Sequence, residues 1–324
     1  MKQNAPASCS VRSGVAILKP KALLAGARLG VFAPASPANE GKTKAGLAEL
    51  ARLGFGVEVT VRNSGEGYFA SSTKERRAEF LRMLAEPRVD ALIGLRGGYG
   101  SNYLLDEQLS EGRKEAKCLV GFSDLSSLQI FLWQRHRWVT FYGPMVAAGF
   151  DAGAGAPGGY DEASLLNAVR KTDGGWVIAL RGESLVGGDA QGRVLGGAMT
   201  MVEATLSTPW ELDTRDAILV LEDRAMRPYQ VDRVLMHFKQ AGKLEGVRGI
   251  VLGDFPECEP PVAGSPTVRD VCARILGELG IPIVFGAAVG HTKRPILTLP
   301  LGVRARLRAA GEGTLEILEP AVVA

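Results

Sequence analysis

Three short stretches each place a chemically competent side chain just beyond a run of apolar residues: Gly121-Phe122-Ser123-Asp124, Leu221-Glu222-Asp223 and Gly290-His291-Thr292. They supply a hydroxyl, a carboxylate and an imidazole, the parts of a hydrolase triad in the order Ser, Glu, His. Trypsin-like and subtilisin-like chains use other orders. The chain has three histidines, so a serine nucleophile has few possible bases. His237 lies between Met236 and Phe238 on an amphipathic run and reads as a helix-surface residue. His136 lies in Arg135-His136-Arg137, a basic turn where a tuned base is hard to arrange. His291, in a loop beyond an apolar strand, is the expected base.

Ser123 follows an apolar strand and precedes a helix expected from about Leu125. A serine on such a turn has its hydroxyl exposed near a helix N-terminus, where partial positive charge favours a developing oxyanion. The stretch is not the familiar Gly-x-Ser-x-Gly elbow, and an N-cap serine is the plain structural alternative. Ser126 and Ser127 fall inside the first helical turn, where capping or solvation accounts for them. Leu95-Arg96-Gly97-Gly98-Tyr99-Gly100 also follows a strand. Its glycines allow close backbone approach to a phosphate, a dinucleotide or an oxyanion, and the spacing is neither a P-loop nor GxGxxG. Arg96 has a guanidinium suited to a carboxylate. Glu222 closes the strand Ile218–Leu221, where a carboxylate can orient an imidazole; alternation sends its competitor Asp223 to the opposite side.

The elements that must carry these residues alternate between strand and helix. Strands are predicted at Arg28–Ala33, Val57–Val61, Ala91–Leu95, Cys118–Val120 and Val139–Tyr142. Helices are predicted at about Thr43–Leu53 and after Ser72-Thr73, the latter with Arg76 or Arg77 outward and Phe80, Leu81 and Leu84 inward. This is α/β spacing, read as a parallel sheet with helices on both faces. Residues 150–160, rich in Gly and Ala, read as a linker, completed by a helix around Asp161–Lys171. A second domain follows, with strands at Ala217–Leu221, Gly249–Leu252 and Ile281–Phe285. Its amphipathic helix carries Val231, Val234, Leu235 and Phe238, and a hairpin turns at Gly311-Glu312-Gly313. The expected division is a flexible leader 1–27, an N-terminal α/β domain 28–149, a linker 150–173 and a C-terminal domain 174–324.

At 324 residues, with 46% hydrophobic and 23% charged residues, the chain has the make-up of a globular protein with a real core. The net charge of +3 from 38 basic and 35 acidic residues gives no footprint for nucleic acid or an anionic membrane. Four scattered cysteines make a disulfide framework or zinc site unexpected, and Cys118 reads as a buried small hydrophobe. No run of about 20 apolar residues is present to span a bilayer. A cytoplasmic protein is the expectation.

Taken together these stretches resemble the LD-carboxypeptidase family of serine peptidases, from about Gly30 to Gly302. The resembling pieces are Ala33-Pro34-Ala35-Ser36, Arg96 to Gly100, Gly121 to Asp124 and Gly143-Pro144-Met145. They continue with Gly196-Gly197, Thr208-Pro209-Trp210, Leu221 to Asp223, Gly290-His291 and Leu299 to Gly302. The resemblance implies an N-terminal Rossmann-like parallel-sheet domain carrying Ser123 and a C-terminal β-rich α/β domain carrying Glu222 and His291. It further implies a site between the two, no metal or cofactor, and commonly a homodimer. The muramoyltetrapeptide type removes the terminal D-Ala from murein tetrapeptides during cell-wall recycling. In the implied mechanism Ser123 attacks, His291 takes its proton, Glu222 holds the ring, and the N–H groups of Gly98 and Asp124 form the oxyanion hole. Arg96, Gly97 and Tyr99 are the expected substrate-binding residues. The chain departs from the family in having Ala198 where Asn is usual, and Ser126 where Thr is frequent.

Three other readings compete, the first within the same family. Microcin-immunity-type relatives share the triad but cleave peptidyl or aminoacyl nucleotides; an aromatic facing the cleft to stack on adenine would favour them, whereas Thr208-Pro209-Trp210 leans to the murein type. A non-catalytic module could use the Gly97-Gly98 loop for an anion, and an intact Ser, Glu and His argues against it. A nicotinamide-dependent oxidoreductase lacks its fingerprint.

Overall fold

A computed structural model describes residues 16–59, 65, 67–105 and 115–324. Within them the chain builds two sheets. The first is formed by β1 (Arg28–Phe32), β2 (Gly56–Val59), β3 (Ala91–Gly94), β4 (Cys118–Gly121) and β5 (Thr140–Tyr142), with helices α1 (Glu40–Arg52), α2 (Thr73–Ala85) and α3 (Ser126–His136) between them. These strands are parallel in the order β2-β1-β3-β4-β5. Strands β3 and β4 are buried at every position, as a parallel sheet covered on both faces requires. The order reverses between β1 and β3, so the loops after those strands diverge and leave a crevice at their carboxyl ends. Those loops are Ala33–Ser36 and Leu95–Gly100. The sequence places the first five strands correctly; residues 60 and 61 of the second lie outside the described residues.

After α4 (Glu162–Arg170) come β6 (Trp176–Ala179), β7 (Glu183–Val186), β8 (Gly188–Ala198), α5 (Met199–Glu203), β9 (Ala217–Glu222), α6 (Pro228–Gln240), β10 (Gly249–Gly253), α7 (Val268–Leu276), β11 (Ile283–Ala287), β12 (Leu299–Leu301), β13 (Arg304–Ala309) and β14 (Thr314–Ile317). The second sheet runs β6-β14-β13-β8-β9-β10-β11-β7. Its centre, β8 to β11, is parallel. Its flanks are antiparallel, including the β13–β14 hairpin that turns at Gly311 and Gly313 as the alternation predicts. Strand β12 leaves this sheet and pairs antiparallel with β5, becoming the edge of the first. One hydrophobic cluster therefore takes in Leu29, Val120 and Phe141 from one sheet and Val194, Val220 and Leu307 from the other.

Three local features go beyond the sequence expectations. Residues 16–27 of the supposed leader are tied down: the backbone N–H of Leu18 donates to Arg137, that of Ala22 to Val323 and that of Leu23 to Val169, and the Leu23 side chain is buried. Leu23 and, in part, Ile17, Ala22 and Ala27 pack on the core, whereas Leu24 stays exposed; residues 1–15 lie outside the described residues. The Gly- and Ala-rich stretch 150–160 is a packed strap, anchored by the buried rings of Phe150 and Tyr160 with centroids 4.8 Å apart. Left-handed glycines at 153, 155 and 158 fold it back on itself. Arg76 does not face outward. It is 1% exposed, and its guanidinium donates to the carbonyls of Ser71, Pro34 and Gly100, an exception the apolar period of α2 could not reveal.

Candidate active site

The carboxyl ends of both parallel sheets face one cleft of about 880 Å³. Its walls include Arg96, Gly97, Gly98, Ser123 and Asp124 from the first sheet, the strap residues Asp151, Pro157 and Gly158, and Ala198, Asp223, Arg224, Gly290, His291 and Lys293 from the second. The three stretches, far apart in sequence, thus meet in one place.

Ser123 opens a 3-10 turn, Ser123–Leu125, that runs into α3. Its φ is +63°, a left-handed conformation costly to a residue with a Cβ. The serine is only partly covered, between the buried neighbours Phe122 and Asp124. The Gly97 loop packs directly on it: a Cβ at Gly97 would lie 3.1 Å from Ser123 Oγ and 3.5 Å from the backbone N of Asp124. Gly98 has φ +108°, and any Cβ there would strike Ser36 Oγ at 2.3 Å. The glycines are needed for this approach of the two loops. Arg76 stabilises the same arrangement from beneath, since its carbonyl acceptors Pro34 and Gly100 lie in the loops that follow β1 and β3. The Asp124 carboxylate turns inward, accepting from the Ser101 backbone N–H at 2.7 Å, and burial pushes its pKa up.

Glu222, the last residue of β9, is 0% exposed. Small residues on the flanking strands make room for it: Ala198 is its register partner on β8, and a Cβ at Gly253 of β10 would lie 2.5 Å from Glu222 Cβ. Its Oε2 accepts from both the backbone N–H and the ring Nδ1 of His291, each at 2.9 Å. Its Oε1 accepts from the hydroxyl of Tyr142. A carboxylate with these three donors carries its charge in a fixed orientation. The proton on His291 therefore sits on Nδ1, leaving Nε2 as an acceptor. Burial disfavours a charged His291 ring, but the charge of Glu222 and its hydrogen bond outweigh burial and hold the pKa above the ordinary 6.5. The loop carrying His291 is braced behind the ring, where Asp254 accepts from the Thr292 hydroxyl and the Arg294 guanidinium.

Asp223 points away from Glu222's partners, as alternation predicts, and accepts from the Thr200 backbone N–H at 3.0 Å and hydroxyl at 2.8 Å. Ser126 and Ser127 are buried, so solvation does not account for them. Ser126 Oγ accepts from the Ala198 backbone N–H at 3.0 Å, and the Ser127 hydroxyl lies 3.3 Å from Met201 Sδ. Both are covered because α3 packs against β8 and α5, a long-range contact invisible in the local sequence. Of the loop residues, Arg96, Gly97 and Gly98 line the cleft, and Arg96 Nη1 donates to the Pro37 carbonyl at 2.7 Å. Tyr99 is not among the lining residues. The chain reverses at Gly98 and Gly100, and the Tyr99 ring joins Tyr68, Phe69 and Tyr103 in an exposed aromatic group. His237 pairs with Glu203 on the helix surface, and Cys118 is buried with its thiol pKa pushed up by burial, both in keeping with their sequence readings.

Sequence reasoning missed Tyr142, whose only signal is a polar tip at the end of an apolar strand. It also missed the cleft pairs Lys42–Asp151, at 3.0 Å, and Arg224–Glu257, at 2.5 Å. Lys42 lies in the first turn of α1 and the others in connecting segments, none within a motif. Among the described residues no group of three or more His, Cys, Asp or Glu side chains is placed to hold a metal ion, and no helix is long and apolar enough to cross a membrane.

Comparison with known proteins agrees with this fold. Residues 29–143 match the LD-carboxypeptidase N-terminal domain and residues 191–307 the LD-carboxypeptidase C-terminal domain. The probable murein peptide carboxypeptidase of Bacillus subtilis is 33% identical over 299 residues, covering 90% of this chain and 92% of that protein. The crystal structure of muramoyltetrapeptide carboxypeptidase from Oxalobacter formigenes is similar at TM-score 0.78 and 26% identity, covering 90% of this chain and 99% of that one. The microcin C7 self-immunity protein MccF of Escherichia coli is 25% identical over 320 residues, covering 87% of this chain and 90% of that protein. With the α/β fold, the paired sheets and both domain matches in agreement, the chain belongs to the LD-carboxypeptidase family.

Proposed function

We propose that the protein is a serine LD-carboxypeptidase that releases terminal D-Ala from murein tetrapeptides. The observation that carries this reading is the cleft shared by a serine on a left-handed turn and an imidazole whose Nδ1 is held 2.9 Å from a buried carboxylate. Such a pairing leaves Nε2 free to take the Ser123 proton.

The reaction then runs in two halves. Ser123 Oγ attacks the carbonyl carbon of the diaminopimelate residue while His291 Nε2 accepts the hydroxyl proton. Glu222 stabilises the imidazolium. The N–H groups of Asp124, and of Gly98 in the loop packed on the serine, are the donors for the oxyanion; one such donor contributes about 3 kcal/mol to barrier lowering. Collapse breaks the C–N bond as His291 returns the proton to the amine of D-Ala. Water, deprotonated by His291, then cleaves the acyl-enzyme ester and regenerates the Ser123 hydroxyl. Arg96, Arg224 and Lys293 at the cleft wall offer positive charge to a substrate with several carboxylates.

The immunity-type reading receives less support. Apart from His291, the aromatic ring among the described cleft-lining residues is Phe122, buried edge-on against Tyr142 and His291 rather than presented for stacking on a base. Trp210 packs against Phe131, and it does not line the cleft.

The test is D-Ala release from L-Ala-γ-D-Glu-meso-diaminopimelate-D-Ala by wild type and Ser123→Ala, with EDTA present. Release by wild type alone is expected. No release from folded wild type, with cleavage of an aminoacyl sulfamoyl nucleotide instead, overturns the murein reading in favour of the immunity type.

A further inference from the structure

Tyr142 closes β5 and is completely buried. A phenylalanine would fill the same space without the cost of burying a hydroxyl. The hydroxyl is satisfied by groups from both sheets. It donates to Glu222 Oε1, 80 residues away, and it accepts from the Ser123 backbone N–H at 3.4 Å. The Ser126 side chain lies beside it and in turn accepts from the Ala198 N–H next to Glu222. One phenol thus touches the turn that carries the serine and the carboxylate that holds the imidazole.

We propose that Tyr142 is a positioning residue, whose hydroxyl locks the Glu222 carboxylate so that only Oε2 faces His291 and, by sharing the carboxylate's charge, sets the basicity of His291. The inference rests on reading Ser123, Glu222 and His291 as the reacting set. The phenol stays protonated, and hence a donor, because burial and then the charge of Glu222 hold its pKa well above the ordinary 10.0. Hydrogen bonding to an anion lowers the anion's basicity. Without the hydroxyl, the carboxylate's charge is shared with one donor fewer and acts more strongly on protonated His291. The other charged groups around the pair are Asp223 and Arg224 at the end of β9 and Glu257 in the loop after β10. On the β5 and α3 side the facing groups are Tyr142 itself and the neutral Ser126. None of these changes when the hydroxyl alone is removed.

The experiment follows the titration of His291 by NMR of protein labelled at histidine Cε1. The chain has only three histidines, and His136→Gln and His237→Gln assign the signals. Wild type is compared with Tyr142→Phe and with protein carrying 3,5-difluorotyrosine at position 142, an almost isosteric, more acidic phenol. The expected His291 midpoint rises by roughly half to one unit in Tyr142→Phe and falls with the fluorinated phenol. Unchanged midpoints for His136 and His237 certify the fold; if the Phe variant does not fold, the fluorinated protein decides alone. Labelling of Ser123 by a fluorophosphonate gives a second readout. Its acid limb is expected to move in the same two directions, with a rate at the plateau lower by about tenfold in Tyr142→Phe. A His291 midpoint identical in all three proteins overturns the role of Tyr142. Absence of labelling in wild type overturns the serine-nucleophile reading instead, and the titration still decides whether Tyr142 tunes His291.

Discussion

Glu222 Oε2 holds His291 at two points, the backbone N–H and the ring Nδ1, both at 2.9 Å. The carboxylate therefore fixes the loop and the imidazole together, and the residue before the histidine must be small enough to allow it. Gly290 has φ +59°, and a Cβ there would lie 2.4 Å from Glu222 Cδ. Gly290→Ala is expected to displace the carboxylate and lower kcat/KM by about 10² or more, since misplacing a reacting group by about 1 Å has that effect. Steady-state kinetics on the tetrapeptide, beside a melting curve showing a folded variant, provide the check. Activity within a few-fold of wild type would contradict this placement of Glu222.

The charge of Glu222 holds the His291 pKa above 6.5, so the acid limb of kcat/KM is expected to have its midpoint above that value. Glu222→Gln removes the charge and should move the limb to lower pH, with kcat reduced on the order of 10³–10⁴-fold. The same shift bears on stability. Because the folded pKa is raised, the protonated ring contributes stability fully below the unfolded value, and that contribution fades as pH rises through the folded value. Urea unfolding between pH 5 and 9 should show this loss in wild type and not in Glu222→Gln. Parallel curves for the two proteins would speak against a raised His291 pKa.

Ser123 occupies a left-handed conformation that glycine adopts without strain. Ser123→Gly and Ser123→Ala should both abolish D-Ala release, but the glycine variant should be more stable than the alanine variant by about 1 kcal/mol. Denaturant titration of the pair measures this. An alanine variant as stable as the glycine variant would mean the turn is not left-handed in solution.

Arg76 is buried beneath the loops that follow β1 and β3, donating to three carbonyls. Arg76→Met keeps most of the packing and leaves those carbonyls without the guanidinium. A loss of roughly 3 kcal/mol in unfolding free energy is expected. Reactivity of Ser123 should fall with it, because the loop after β3 packs on the serine and the loop after β1 packs on Gly98. A variant with full stability and full reactivity would show that the loops hold themselves.

The local sequence determined the alternation of strand and helix, because apolar period and turn residues are properties of neighbouring positions. It also marked Ser123, Glu222 and His291 as candidates, since each stands at or just beyond the carboxyl end of a strand, where a parallel sheet places its functional residues. The β13–β14 hairpin was legible for the same reason. What required tertiary structure was whatever depends on contacts between distant segments. The burial of Arg76 and Ser126 and the transfer of β12 to the first sheet follow from packing between segments distant in sequence. The strap at 150–160 looked like a linker because its many glycines suggest freedom, yet two aromatic anchors outweigh that freedom. Tyr142 is the sharpest case. As the last residue of a short apolar strand it carries only the local mark of a polar tip, and its hydroxyl acquires meaning only when the second sheet brings Glu222 within hydrogen-bonding reach.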